Sequence, residues 1–157
     1  MAMSAFRKDP SAAIEGFPLY LVIVIIIAVV SVVIVMGMLN SVNPPKTIKE
    51  VLVVEPAAVT VKDADGNGIY EPEKPFTVKV KVVDNNGDPV KGAIVTITGN
   101  NVKKSTGEVA YGTTDENGEL QFTGLDCEVV GATSPLTIKA EKSGYGEKTT
   151  TLPVVKA

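Results

Sequence analysis

The chain has 157 residues, 45% of them hydrophobic and 5% aromatic, with 15 basic and 18 acidic side chains, a formal net charge of −3, one Cys and neither His nor Trp. Without His there is no Ser–His or Cys–His nucleophilic centre and no His-ligated metal, and a lone Cys127 makes neither an intrachain disulfide nor a thiolate zinc site. From Glu50 to Ala157, 11 lysines face 16 carboxylates, an acidic balance with no basic stripe, so nucleic acid is not an expected partner.

Mean hydropathy is +0.22 although 21% of residues are charged, so the apolar residues must be concentrated somewhere. Near the N-terminus, Arg7 and Lys8 precede Asp9-Pro10, which reads as a helix N-cap followed by proline at the first helical position. A short turn through Ser11–Glu15 is expected, interrupted at Gly16 and Pro18 because proline cannot donate to the backbone ladder. The next element holds the concentrated apolar residues: Phe17–Leu39 contains no charged side chain. Its 23 residues would rise about 34 Å as a helix, enough to cross a hydrocarbon core. Because the stretch is apolar on every side, it lacks the polar face of a soluble amphipathic helix. It is also longer than a signal h-region and exits without a small-x-small cleavage site. Lys46 and Lys49 after the span nearly balance Arg7 and Lys8 before it. The domain that follows, with few Lys and Arg beside the span, therefore sets the orientation, N-terminus inside and domain outside.

Glu15 stands at the mouth of this apolar helix, where a carboxylate is costly in lipid unless it lies at the interface or has a partner. The arrangement Arg7-Lys8-Asp9-Pro10-Ser11, then Ile14-Glu15-Gly16-Phe17-Pro18-Leu19, resembles the class III leader of type IV pilins and archaeal surface proteins with such helices. The resemblance implies a leader over residues 1–10, removed by a prepilin-type peptidase between Pro10 and Ser11, with Glu15 then fifth in the mature chain. Pro10 departs from the Gly or Ala usual before the cut, and Gly16-Phe17 offers a second junction that would discard Glu15. The helix, residues 11–40, would begin in the membrane and end in the core of a homo-oligomeric filament. There Glu15 would pair with the freed α-amine of an adjacent subunit. The other reading is a single-pass membrane-anchored surface protein, or a minor pilin-like accessory protein, displaying the exterior domain.

Asn40–Lys46 contains Pro44-Pro45, a short semi-rigid spacer, and a linker is expected over residues 41–49. From residue 50 onward the chain alternates short Val/Ile/Thr-rich runs with turn clusters. Strands are expected at Val51–Val54, Val59–Lys62, Phe76–Asp84, Ile94–Thr98, Val109–Thr113, Glu119–Thr123, Leu136–Glu141 and Thr149–Val155. Val78-Lys79-Val80-Lys81-Val82 alternates cleanly, with valines inward. Eight strands at this spacing give an all-β, Ig-like Greek-key sandwich over residues 50–157, with Phe76, Phe122 and Tyr145 as its larger fillers and Cys127 buried as a small apolar residue.

Asn86-Gly87-Asp88-Pro89-Val90-Lys91-Gly92-Ala93, Thr114-Asp115-Glu116-Asn117-Gly118-Glu119 and Gly144-Tyr145 resemble bacterial Ig-like and carboxypeptidase regulatory-like domains. Such domains serve as spacers, adhesins and carbohydrate-facing modules, so the resemblance implies fold rather than activity. Some collagen-adhesin relatives join Lys to Asn under a carboxylate, roles open here to Lys79 or Lys81 and Glu119. The last strand, Thr149–Val155, contains no Asn, which argues against that bond. Asp115, Glu116 and Glu119 sit on a turn signature that needs no catalysis, and an enzyme is not expected. No Asn-x-Ser/Thr sequon occurs, so no N-glycan is expected.

One motif points to a metal. Asp63-Ala64-Asp65-Gly66-Asn67-Gly68-Ile69-Tyr70-Glu71-Pro72-Glu73 has the oxygen spacing of an EF-hand-type loop, with Asp63, Asp65, Asn67, the Ile69 carbonyl and Glu73 as candidate ligands of a structural Ca²⁺. Glu73 is eleventh rather than twelfth. An uncoordinated acidic connection between strands stays open as the alternative.

Overall fold

The computed structural model describes residues 10–42 and 44–157, with side chains described from Pro18 onward. The chain forms two compact units, residues 1–44 and 45–157.

The first unit is one helix, α1 (Pro10–Ser41, 32 residues). The expected interruption does not occur, since Pro18 lies inside an unbroken helix. A proline removes one ladder bond, but its fixed φ is helical, and the flanking turns carry the helix across the gap. Two serine hydroxyls turn back onto the helix: Ser31 Oγ donates to the Ile27 carbonyl at 2.8 Å and Ser41 Oγ to the Met38 carbonyl at 2.8 Å. Among the described side chains of the helix, no serine donor is left unpaired.

The second unit is the β-domain. Its first sheet orders β1 (Ile48–Glu55), β4 (Phe76–Asp84), β8 (Glu119–Asp126) and β6 (Lys103–Lys104) as β1-β4-β8-β6. The second orders β11 (Gly146–Leu152), β10 (Leu136–Lys142), β5 (Ile94–Thr98) and β7 (Ala110–Thr113) as β11-β10-β5-β7. All pairings within these two sheets are antiparallel. Two small pairs complete the fold: β2 (Val59–Val61) with β12 (Val154–Lys156), which is parallel, and β3 (Ile69–Tyr70) with β9 (Val129–Val130).

Period-two patterning builds the core. Val78, Val80 and Val82 of β4 are fully buried, and Val95, Ile97, Leu136, Ile138 and Ala140 of the second sheet close over them. Phe122 joins this core, whereas Phe76 and Tyr145 pack against it only partly buried. Cys127 is buried, as the sequence implied. The architecture is the expected N-terminal apolar helix followed by an all-β, Ig-like sandwich.

The element list differs from expectation in three ways. β3, β6 and β9 are two-residue strands too short to carry an alternation pattern. The expected Thr149–Val155 strand is two strands separated at Pro153, whose missing N–H cannot continue a ladder. β1 begins at Ile48, three residues before the expected Val51.

Candidate functional site

The acidic loop connects β2 to β3. Lys62 and Glu71 exchange both backbone hydrogen bonds, Lys62 N–H to Glu71 O at 2.8 Å and Glu71 N–H to Lys62 O at 3.1 Å, which closes the loop at its base. Inside it, Asp63 accepts the Gly66 N–H at 2.8 Å on one oxygen and the Gly68 N–H at 3.0 Å on the other. Gly66 and Gly68 have φ of 71° and 83°, a left-handed conformation that lets the backbone wrap one carboxylate. Asn67 Nδ2 donates to Asp65 at 2.9 Å, and Asn67 Oδ1 accepts the Ile69 N–H at 2.7 Å. The sequence-nominated residues divide accordingly. Asp63, Asp65 and Asn67 share one turn, Ile69 belongs to β3 opposite Val130, and Glu73 faces Lys62 at 3.4 Å. Among the described residues, no three carboxylates or thiols converge in a metal-holding group. What the loop does chemically is satisfy its own amides.

The carboxylates on the β7–β8 turn are also engaged. Asp115 Oδ1 accepts the N–H groups of Asn117 at 2.8 Å and Glu119 at 2.9 Å, an Asx-type turn. Glu116 pairs with Lys91 at 2.6 Å on the surface. Glu119 pairs with Lys79 at 2.8 Å across β8 and β4. The hydrogen bond to Glu119, then its charge, raises the Lys79 pKa above the ordinary 10.5. On the second sheet, Lys139 contacts Glu147 at 2.6 Å and Glu141 at 3.1 Å, and hydrogen bonding to these two raises its pKa likewise. Burial first, then the neighbouring Asp126 and Glu71 charges, push the Cys127 thiol up from 9.0 to about 11. At neutral pH that sulfur is a protonated thiol, not a nucleophilic thiolate.

Two polar features of the interior escaped the sequence reading. Asp84 is 1% exposed, and its Oδ1 accepts the N–H groups of Asn86 at 2.9 Å and Asp88 at 3.0 Å. The Asp-Asn-Asn-Gly cluster signals that turn, but not the burial of its first carboxylate. Thr114 is 4% exposed, with its hydroxyl placed between Val90 and Ala93. No local pattern marks it, because both partners lie more than 20 residues away.

At the other end of the chain, Pro10, Ser11 and Glu15, nominated for processing and assembly, fall within α1, but their side chains lie outside the described residues. The rest of the expected leader, residues 1–9, lies outside them entirely. The helical segment Pro18–Ser41, 24 residues of mean hydropathy 3.4, has no residue buried. It is the only span-length apolar helix among the described residues.

A family model for macroglobulin domain MG4 matches residues 64–157, about three-fifths of the chain, from the acidic loop to Ala157. Among solved structures, the chain is similar to domains 4 and 5 of the S-layer protein SbsC at 19% identity and a TM-score of 0.34. That alignment covers 73% of this chain and 48% of the other, so the chain spans about half the length of that structure. No curated protein matches.

Proposed function

The chain belongs to the macroglobulin MG4 domain family through residues 64–157, and from that premise we propose that it is a cell-surface structural protein whose apolar helix holds an Ig-like domain outside the cell. Within that class, the finer reading is a subunit of an archaeal type IV pilus-like filament. In that reading the helix lies in the filament core and the β-domain on the outer face, available for adhesion.

One observation carries the proposal: a 24-residue apolar helix with no residue buried, joined to a domain with its own closed core. Leaving a large aliphatic side chain in water rather than burying it costs roughly 1.5–3 kcal/mol. Repeated along α1, this cost rules out a helix standing free in solvent. Lipid or neighbouring helices must cover it. In the filament reading, copies of α1 cover one another, and Glu15 neutralises the α-amine that cleavage before Ser11 would free on a neighbouring subunit. The alternative is a single-pass anchor. It is favoured by the length of the Pro18–Ser41 segment, about 36 Å at the helical rise, which suits one bilayer crossing.

Intact mass and cell shearing separate the two. The filament reading expects a mature chain beginning at Ser11 that sediments with sheared fibres and is lost from them on Glu15→Ala. A full-length chain found only in membranes makes the protein a single-pass anchor.

A further inference from the structure

Three consecutive residues after β5 hold a left-handed backbone: Gly99 at φ 105°, Asn100 at 46° and Asn101 at 51°. Asn tolerates that region better than most side chains, and both carboxamides here reach across to one distant segment. Asn100 Nδ2 donates to the Ser134 carbonyl at 2.6 Å, and its Oδ1 accepts the Ser134 hydroxyl at 2.8 Å. Asn101 Nδ2 donates to Glu128 Oε2 at 2.9 Å, and the Asn100 carbonyl accepts the Glu128 N–H at 2.9 Å. The two asparagines therefore hold both ends of residues 128–134, which lie between β8 and β10.

Between those ends little else holds the segment. Val129, at 1% exposed, is its one buried side chain. Its strand partner is β3, through Ile69 opposite Val130 and Tyr70 opposite Val129, and β3 has no other partner. Lys156 Nζ adds a bond to the Gly131 carbonyl. So few buried contacts and ladder bonds place a segment at the low end of local stability. Immediately before it, the buried Cys127 shares a cavity of about 180 Å³ with Asn101 and Glu128.

We propose that residues 128–134 form a strap that opens as a unit while the two sheets stay folded, and that Asn100 and Asn101 are the latch that sets how often it opens. Opening releases β3 from its partner and uncovers Cys127. Outside the cell, where thiols meet disulfides, the strap then decides how far this lone thiol is shielded from exchange. That consequence rests on the surface-protein reading, which cell fractionation tests separately. The opening itself does not.

The test follows Cys127 in the full chain in detergent micelles, with an aromatic disulfide at pH 8 and no denaturant. Its thiolate attacks the reagent, a mixed disulfide forms, one aryl thiolate leaves and the thiol proton goes to buffer. Each rate is divided by the rate in denaturant, and hydrogen exchange of the β3–β9 and β4 amides is read on the same samples. The parent is expected to react over hours rather than minutes, with the β3–β9 amides opening more often than those of β4. Asn100→Gly with Asn101→Gly keeps the left-handed backbone and removes the side-chain bonds to Ser134 and Glu128. That pair is expected to react roughly tenfold faster or more. Asn101→Gly alone, which removes a single bond to the exposed Glu128, is expected to move the rate in the same direction by less. A Cβ at Gly118 meets Val82, Pro89 and Val90 and none of the strap's partners, so Gly118→Ala is expected to speed β4 exchange and leave the Cys127 rate unchanged. A Cys127 rate that rises in step with β4 exchange in Gly118→Ala overturns the strap, because the thiol is then reached only by global unfolding. Asparagine variants that react no faster than the parent overturn the latch.

Discussion

The Thr114 hydroxyl donates to the Val90 carbonyl at 2.6 Å and accepts the Ala93 N–H at 2.9 Å, joining both ends of the Val90–Ala93 segment to the end of β7 from inside the sandwich. The Thr114 backbone adds two further bonds, its N–H to Ala93 O at 2.9 Å and its carbonyl to Gly92 N–H at 3.0 Å. Thr114→Val keeps the shape but leaves a buried carbonyl and a buried amide unpaired, at about 1–3 kcal/mol each. Urea unfolding of the β-domain is expected to show a loss of about 2–4 kcal/mol, with Thr114→Ser recovering most of it. Equal stability of Thr114→Val and the parent would show that water replaces the hydroxyl.

Two glycines separate conformational cost from steric cost. Gly87 has φ of 86° and open space where a Cβ would stand, whereas Gly118 has φ of 70° and a Cβ there would meet the Val82 carbonyl oxygen at 2.6 Å and the Val90 nitrogen at 3.0 Å. Gly87→Ala is expected to lose only the left-handed penalty, roughly 1–2 kcal/mol. Gly118→Ala adds a collision with backbone that cannot swing aside, and is expected to lose clearly more. Paired denaturant curves check the order, and comparable losses would mean that the turn shifts away from Val82.

Pattern strength decided how much of this architecture was legible from sequence. β4 stands where its alternation put it, Phe76–Asp84, because a long strand buried on one face writes a period of two, and β5 stands at Ile94–Thr98, where its Val/Ile/Thr run between turn clusters put it. β3, β6 and β9 have two residues each and exist only because a partner strand is near, which is tertiary information. The acidic loop was legible as a loop. Its internal bonding was not, because whether Asp63 turns to amides or to a cation depends on backbone dihedrals at Gly66 and Gly68 that residue spacing does not encode. The Lys79–Glu119 pair is diagonal in the ladder, since Lys79 stands directly opposite Gln121 and Glu119 opposite Lys81, so knowing the strands without their register would not have selected it.

Alkaline titration follows from the raised lysine pKa values. Lys79 and Lys139 hold their protons more tightly folded than at the ordinary 10.5, so the native state binds more protons and stability falls as pH rises. Their contribution is complete below pH 10.5 and is lost as pH climbs through the higher folded values. Thermal melts stepped from pH 9.5 upward are expected to fall more steeply for the parent than for a Lys79→Met, Lys139→Met double variant. Parallel curves would mean that neither ion pair holds in solution.

Cys127 titrates earlier in the same direction. Its thiol rises from 9.0 to about 11 on folding, so the folded state retains a proton that the unfolded chain loses, and the contribution present below pH 9.0 is lost by about pH 11. A disulfide reagent at pH 8 is therefore expected to leave the native thiol unmodified and to titrate one thiol per chain in denaturant. Cys127→Ala would remove the part of the alkaline decline that starts near pH 9. Rapid labelling of the folded protein would place the thiol at the surface.

The acidic loop yields a prediction about calcium that turns on how many oxygens it gathers. Both Asp63 oxygens already accept amides, and Asn67 Oδ1, a nominated ligand atom, accepts the Ile69 N–H at 2.7 Å. Each of these oxygens keeps a lone pair beyond its amide, but calcium needs six or more oxygens, and only Asp63, Asp65 and Asn67 of the nominated ligands share one turn, Ile69 lying on β3 and Glu73 against Lys62. The loop is therefore expected to stand on its own hydrogen bonds. Asp63→Ala should cost about 0.5–1.5 kcal/mol, equally in chelator and in millimolar calcium, and titration of the β-domain should give no calcium heat. If calcium raises the melting temperature of the parent but not of Asp63→Ala, then Asp63, Asp65, Asn67, the Ile69 carbonyl and Glu73 form a cation site, and Glu73 must leave Lys62 to complete it.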